Sequence, residues 1–297
     1  MLSLRKFTLV EWLKFKPFNF AFKQIRNDIW LEAYLSRKPE RLEEFLGQTQ
    51  SLKSKSVIAI VAFEQPWALN WLLQMAKKNL RESSVLVFDN SRNPALRHEI
   101  EAVCIANDVL YFSLPENSTK HVNRSHGMAM SWIFDNVITT IEPNQFAFID
   151  HDLIPVSHVD FSKALESQPF FGRRGGQMVD YWSLWAGYCF FDFDFLRNKK
   201  INFLYDFSRG LDTGGRNWDS IYSLFDQTKI KFASRVFNKI YLPDFPDGVR
   251  VEFIDEKWVH MGSISYNDNF RTKSDFFKAL AIELEKDANW QRLLSAI

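Results

Sequence analysis

Short apolar runs alternate with amphipathic stretches through the middle of this chain. From Ser56 a run of seven residues, Val57-Ile58-Ala59-Ile60-Val61-Ala62-Phe63, contains no polar position, which predicts a strand buried on both faces. Pro66 then opens a helix carrying Trp67, Leu69, Trp71, Leu72, Leu73, Met75, Ala76 and Leu80, since proline suits a first helical turn. A second strand, Val85-Leu86-Val87-Phe88, runs into Asp89-Asn90-Ser91, and a helix from Pro94 to Asn107 leads to a third, Val109-Leu110-Tyr111-Phe112. A helix from Arg124 to Thr140 precedes a fourth strand, Phe146-Ala147-Phe148-Ile149. Strand and helix in strict alternation predict a parallel, doubly wound α/β sheet with right-handed crossovers. Ligands of such sheets bind beyond the carboxyl ends of the strands. That directs attention to Glu64, Asp89, Pro115-Glu116-Asn117 and Asp150-His151-Asp152.

Beyond residue 155 the pattern weakens, with Gly, Arg, Trp and Asp breaking the apolar runs between Phe170 and Trp218. The tail from Ser274 to Ala296 reads as one amphipathic helix, with Ser274 as its N-cap and Phe277, Leu280 and Leu284 on one stripe. No repeat or low-complexity linker divides the chain. The expectation is a single α/β domain with an N-terminal extension.

Composition narrows the class. The 297 residues are 46% hydrophobic and 25% charged, which excludes a disordered or collagen-like chain. No apolar run approaches the ~18–20 residues of a spanning helix. With 37 basic and 36 acidic side chains the formal charge is +1, which argues against nucleic acid as a partner. The 47 aromatic residues are consistent with a heavy core and with a site that stacks rings. Charge is uneven: residues 1–56 hold 11 basic and 6 acidic side chains, a surplus of five, so the rest is acidic by four. Within residues 1–30 the cations alternate with Phe7, Trp12, Phe15, Phe18, Phe20, Phe22 and Trp30. Such a segment suits peripheral contact with a membrane face, and equally a helical lid packed on the domain. Cys104 and Cys189 sit among apolar neighbours, as expected of two reduced, buried thiols in a cytoplasmic protein. No secretory signal is evident.

The sharpest chemical feature is Asp150-His151-Asp152, two carboxylates at the end of an apolar strand. In extended chain, side chains i and i+2 share a face, so both can address one point. A divalent cation carried on a diphosphate needs few hard oxygen ligands of this kind, phosphate and water supplying the rest. A dinucleotide fold is excluded by the first strand–helix turn, Ala62-Phe63-Glu64-Gln65-Pro66-Trp67, which has no glycine to let backbone close on a pyrophosphate. No P-loop occurs either.

With these residues in view, the stretch from about 56 to 219 resembles glycosyltransferases of the GT-A fold, close to the family-2-like inverting enzymes. The resemblance implies a Rossmann-like, mainly parallel doubly wound sheet with helices on both faces, in a single domain with an N-terminal helical extension. It matches Phe63-Glu64 to the nucleotide-contacting turn and Asp89 to the acidic residue facing base or ribose, with Asn90 beside it. Asn123-Arg124-Ser125-His126-Gly127 falls at the helix start near the sugar nucleotide, and Asp150-His151-Asp152 matches the DxD motif. Trp182-Ser183-Leu184-Trp185-Ala186-Gly187 corresponds to the acceptor loop. Asp212, 25 positions past Gly187, corresponds to the catalytic acid, although Leu211 replaces the usual preceding glutamate. His260, in Trp258-Val259-His260-Met261-Gly262-Ser263, resembles the C-terminal third metal ligand.

The resemblance therefore implies Mn²⁺ or Mg²⁺ held by Asp150, Asp152 and His260, with Phe63, Glu64, Asp89, Asn90, Arg124, Asp150 and His151 around the donor. Trp182, Trp185 and Gly187 would line the acceptor side, and Asp212 would be the base, with Asp219, Asp206, Asp180 and Asp192 as other candidates. Arg173, Arg174 and Arg216 could offset diphosphate charge. The implied activity is transfer of a sugar from a nucleotide-diphosphate sugar donor to a hydroxyl acceptor, a saccharide or a lipid-linked glycan, in the cytoplasm. Another nucleotide-diphosphate enzyme (a nucleotidyltransferase or hydrolase) or a non-catalytic binding module on the same fold remain open. The division expected is 1–55 for the extension, 56–155 for the nucleotide-binding half, 156–272 for the acceptor half and 273–297 for the C-terminal helix.

Overall fold

A computed structural model describes residues 4–176, 180–262, 270–287 and 289–294. Ser263 and Ala296, both named above, lie outside the described residues. Helices α1 (Leu9–Leu13), α2 (Lys16–Leu35) and α3 (Leu42–Thr49) precede the first strand. The alternating half follows as β1 (Ser56–Ala62), α4 (Pro66–Asn79), β2 (Ser84–Asp89), α5 (Pro94–Ala106), β3 (Leu110–Ser113) and α6 (Val122–Ile133). A π-helical turn at Phe134–Ile138 joins α6 to α7 (Thr139–Ile141), and β4 (Gln145–Asp150) closes this half. The helix expected from Arg124 begins two residues earlier because the His121 imidazole caps it, accepting from the Arg124 N–H at 3.4 Å. Then come β5 (Leu153–Pro155), α8 (Ser162–Leu165), β6 (Phe170–Gly175), β7 (Ser183–Asp192), α9 (Phe193–Leu196), β8 (Arg235–Leu242), β9 (Phe245–Ile254), β10 (Trp258–His260) and α10 (Phe270–Lys286).

The main sheet runs β3-β2-β1-β4-β7-β6, the first four strands parallel and the last two antiparallel. Residues of β1 alternate between two buried clusters, as a period of two requires. Ile58, Ile60 and Ala62 pack with α4 on one face, whereas Val57, Ala59 and Val61 pack with α6 and the extension on the other. The continuous apolar run therefore reflects helices on both faces, and the fold class agrees with the expectation. Tyr34, Leu42, Phe45 and Leu52 belong to the second cluster, with the Phe45 ring 5.0 Å from that of Phe112. The second half of the extension is thus part of the domain core.

A smaller antiparallel sheet, β5-β10-β9-β8, stands beside the first. Helix α10 covers it with Phe276, Phe277, Leu280 and Leu284. The expectation for the tail is corrected on two points. Ser274 is not an N-cap, since α10 begins at Phe270 and buries it one turn inside. The helix also stops at Lys286, where the Asp287 carboxylate accepts from the Asn289 N–H at 2.9 Å, a local bond that competes with helix continuation. A separate 3₁₀ turn, Trp290–Leu294, follows. Both cysteines are free and buried. Among the described residues no helix is long and apolar enough to cross a membrane.

Candidate active site

Sheet register aligns the carboxyl ends of the parallel strands: Ala62 pairs with Asp89, and Val61 with Asp150. They open onto a cavity of about 830 Å³, large enough for a nucleotide-sized ligand. Phe63, Asn90, Asp150, His151 and Asp152 line it from this side. The small sheet forms the opposite wall. There His260 pairs with both Leu153 and Glu252, so strand register brings the residue after Asp152 beside His260 and Glu252.

That register produces a defined triad of side chains. His260 Nδ1 lies 2.6 Å from Glu252 Oε2, and His260 Nε2 lies 3.8 Å from Asp152 Oδ1. Burial alone would raise the Glu252 pKa, but hydrogen bonds from His260 and Arg235 and the charges of His260 and Arg173 overcome it and hold the carboxyl at about 2. The Glu252 carboxylate on Nδ1 orients the ring so that Nε2 faces Asp152. Metal-binding histidines are oriented by carboxylates in this way.

Among the described residues no three Asp, Glu, His or Cys side chains form a ready cage for a cation. Asp152 and His260 instead offer two ligands on one side, which fits a divalent cation that completes its shell from phosphate oxygens and water. Asp150 is turned toward a different partner, His126 Nε2, at 3.3 Å. Burial raises the Asp150 pKa; the His126 charge opposes that and the nearby Asp152 charge adds to it. Its position depends on Gly187, where a Cβ would come 2.3 Å from Asp150 Oδ2 and 2.4 Å from Trp185 Cζ2. His151 Nδ1 lies 3.3 Å from Val61 O, which can only accept from it, and its Nε2 is buried without a partner.

Asp212 reaches the cavity from the loop between α9 and β8. It accepts from the Thr213 N–H at 2.7 Å and from Asn123 Nδ2, which projects from the first turn of α6. Gly127 lets α6 approach that loop, as a Cβ there would lie 2.5 Å from Phe203 O. The other candidate acids are engaged elsewhere. Asp206 pairs with Arg209 at 2.6 Å, Asp219 pairs with the same guanidinium at 3.1 Å, and Asp192 caps α9. Neither these three nor Asp180 lines the cavity.

Several residues expected at the site do not line the cavity. Asp89 is fully buried, accepting from the Ser91 N–H at 2.8 Å and the Tyr111 hydroxyl at 3.0 Å, and burial raises its pKa. Glu64 adopts a left-handed φ of 53°, and its carboxylate accepts from the N–H groups of Arg92 and Asn93 at 3.0 and 3.1 Å. It clips the end of β1 to the start of α5. Arg124 is buried between the Trp30 ring, 4.8 Å away, and Tyr205 Oη at 3.1 Å. Trp182 packs in the core against Tyr222 and Phe232, their ring centroids 5.1 and 5.2 Å away. Trp185, by contrast, lines the cavity, its ring 4.7 Å from the His260 ring and 4.2 Å beneath the Arg173 guanidinium. Arg216 pairs with Asp28 at 2.8 Å, away from the site.

Sequence reasoning missed most of the basic wall. Arg92, Lys120, Arg173, Arg235, Arg250 and Lys273 line the cavity against four carboxylates, Asp150, Asp152, Asp212 and Glu252. Burial lowers the pKa of Arg173 and of Lys273, marking both as groups that gain from an incoming anion. Only Arg173 of the six stood among the expected residues. The available signal was the spacing Arg235/Phe237 and Arg250/Glu252, two i, i+2 pairs facing one side of a hairpin.

No protein-family profile matches this chain, and no curated protein matches it. Solved structures do. The S. aureus protein TarS is 15% identical over 50% of this chain and 30% of its own, with a TM-score of 0.35. The galactosyltransferase LgtC, in complex with donor and acceptor sugar analogues, is 10% identical over 48% of this chain and 60% of its own, at 0.36. Glucosyl-3-phosphoglycerate synthase from Mycobacterium tuberculosis, in complex with Mn²⁺ and UDP-glucose, is 14% identical over 72% of this chain and 91% of its own, at 0.36. This chain thus spans less than two thirds of the first two. Likeness at this level carries no argument about activity. The strand order β3-β2-β1-β4-β7-β6 with helices on both faces is a mainly parallel, Rossmann-like architecture, as the sequence implied.

Proposed function

We propose that this chain transfers a sugar from a nucleoside-diphosphate sugar to a hydroxyl acceptor, with Mn²⁺ or Mg²⁺ held by Asp152 and His260. The observation that carries this reading is the Asp152–His260–Glu252 arrangement at the strand ends, inside a cavity walled by cations. A cation bound there supplies positive charge to the diphosphate as it leaves. The chain's own residues account for the rest. Arg92, Lys120 and Arg250 attract and hold the phosphates, and Phe63 and Asn90 offer a ring face and a polar group to the nucleoside. Trp185 presents an apolar face to a sugar ring. Asp212, held by Asn123, takes the proton of the attacking acceptor hydroxyl, which suits an inverting displacement. A saccharide or lipid-linked acceptor fits this chemistry.

The test is release of nucleoside diphosphate from a panel of nucleotide sugars, with Mn²⁺ and with EDTA. Release that needs the metal and rises with added saccharide or glycolipid supports transfer. Binding without any release favours a non-catalytic module, and neither binding nor release defeats the reading.

A further inference from the structure

Helix α2 is amphipathic in the wrong sense for a helix packed on a domain by its apolar side. It turns Gln24 and Asn27 inward, 7% and 2% exposed, with Asn27 Nδ2 donating to Tyr205 Oη at 3.1 Å. Phe18, Phe22, Ile25 and Ile29, spaced i, i+4, i+7 and i+11, face outward, with Phe22 67% exposed. Leu9, Leu13 and Phe15 extend this surface through α1. Of eighteen large apolar side chains exposed among the described residues, ten lie between Leu9 and Trp30, so the apolar surface is concentrated rather than scattered.

Charge selects the occupant. Residues 1–30 carry six cations and two acids. Both acids are occupied within the fold, Glu11 by Arg5 and Asp28 by Arg216. Glu11, also bonded by the Thr8 backbone, has its carboxyl held at about 2 and stays ionised against that partner. Lys6, Lys14 and Lys16 are exposed beside the apolar stripe. Arg37 adds charge at the other end, where with Trp30 it lines a cavity of about 360 Å³. A second copy of the chain would bring the same cations to the same face and be repelled. An anionic bilayer accepts both features, apolar side chains at the acyl boundary and lysines over the headgroups.

We propose that α1 and the first half of α2 dock this protein on an anionic lipid bilayer, with the axis of α2 in the plane of the interface. The surface is independent of the catalytic reading, and its test does not use activity. The full chain is sedimented at low salt with phosphatidylcholine vesicles, with and without phosphatidylglycerol. Partition should require the anionic lipid and fall steeply toward ~1 M salt, where the screening length is only ~3 Å. Phe18→Ser with Phe22→Ser, and separately Lys14→Glu with Lys16→Glu, should each weaken partition about tenfold or more. All four positions are exposed, so circular dichroism and melting temperature should match the wild type, confirming that folding is intact. Partition that ignores the anionic lipid, or that both variants leave unchanged, overturns the proposal. So does light scattering that shows a dimer dissolved by the phenylalanine variant, because the face would then join two copies.

Discussion

His260 is held through Nδ1 by Glu252 at 2.6 Å, and its Nε2 faces Asp152. The orientation comes from sheet register, since His260 and Glu252 are direct partners across β10 and β9. Glu252→Gln keeps the shape but weakens the bond that aims the ring. Divalent-cation affinity in the presence of nucleoside diphosphate is expected to fall about 10–100-fold, the usual effect of losing such an orienting carboxylate. Calorimetric titration of Mn²⁺ checks this.

Glu252 also sets a pH dependence. Its folded pKa, about 2, lies below the ordinary value of 4.5, so its stabilising contribution is present above 4.5 and is lost as pH falls through 2. The stability gap between wild type and Glu252→Gln, measured by urea unfolding, should be open just above pH 4.5 and close toward pH 2.

Gly187 makes room for Asp150 and Trp185. Gly187→Ala is expected to cost about 1–3 kcal/mol in unfolding free energy, as overpacking does. It should also reduce donor affinity, because both displaced groups line the cavity. A variant with wild-type stability and affinity would show that the two side chains yield freely.

Asp89 is engaged within the fold, by the Ser91 N–H and the Tyr111 hydroxyl. Asp89→Ala leaves the buried Ser91 N–H without its acceptor, at about 1–3 kcal/mol, and removes the partner of the half-buried Tyr111 hydroxyl. Asp89→Asn retains an acceptor and should bind nucleoside diphosphate as the wild type does. A large loss of affinity in Asp89→Asn would return this residue to the binding site.

The four parallel strands were legible because most of their central positions are apolar and buried beneath helices. The strands after residue 155 were not, because β8 and β9 form a half-exposed hairpin whose outer positions are polar and charged. Of the cavity lining, Asp150, Asp152, Asp212 and His260 were among the residues that local context and resemblance put forward. Lys120, Arg235, Arg250 and Glu252 were not, because only the packing of the small sheet against the strand ends brings them together. Asp89 and Glu64 show the converse: an acid at a strand end was read as a ligand contact, and the backbone N–H groups of the next loop claimed both carboxylates.

Asp212 separates binding from turnover. Asp212→Asn retains the hydrogen-bonding shape beside Asn123 and Thr213 but cannot take a proton. Turnover is expected to fall about 10²–10⁴-fold with donor affinity near wild type. A loss within about tenfold would move the base elsewhere.

The central claim is that Asp152 and His260 hold a cation together with a nucleoside diphosphate. Calorimetric binding of UDP to wild type and to Asp152→Asn, each with Mn²⁺ and with EDTA, tests it most directly. The account requires that Mn²⁺ tighten binding to the wild type and leave Asp152→Asn at the weak affinity seen in EDTA. Equal tightening by Mn²⁺ in both proteins would contradict it.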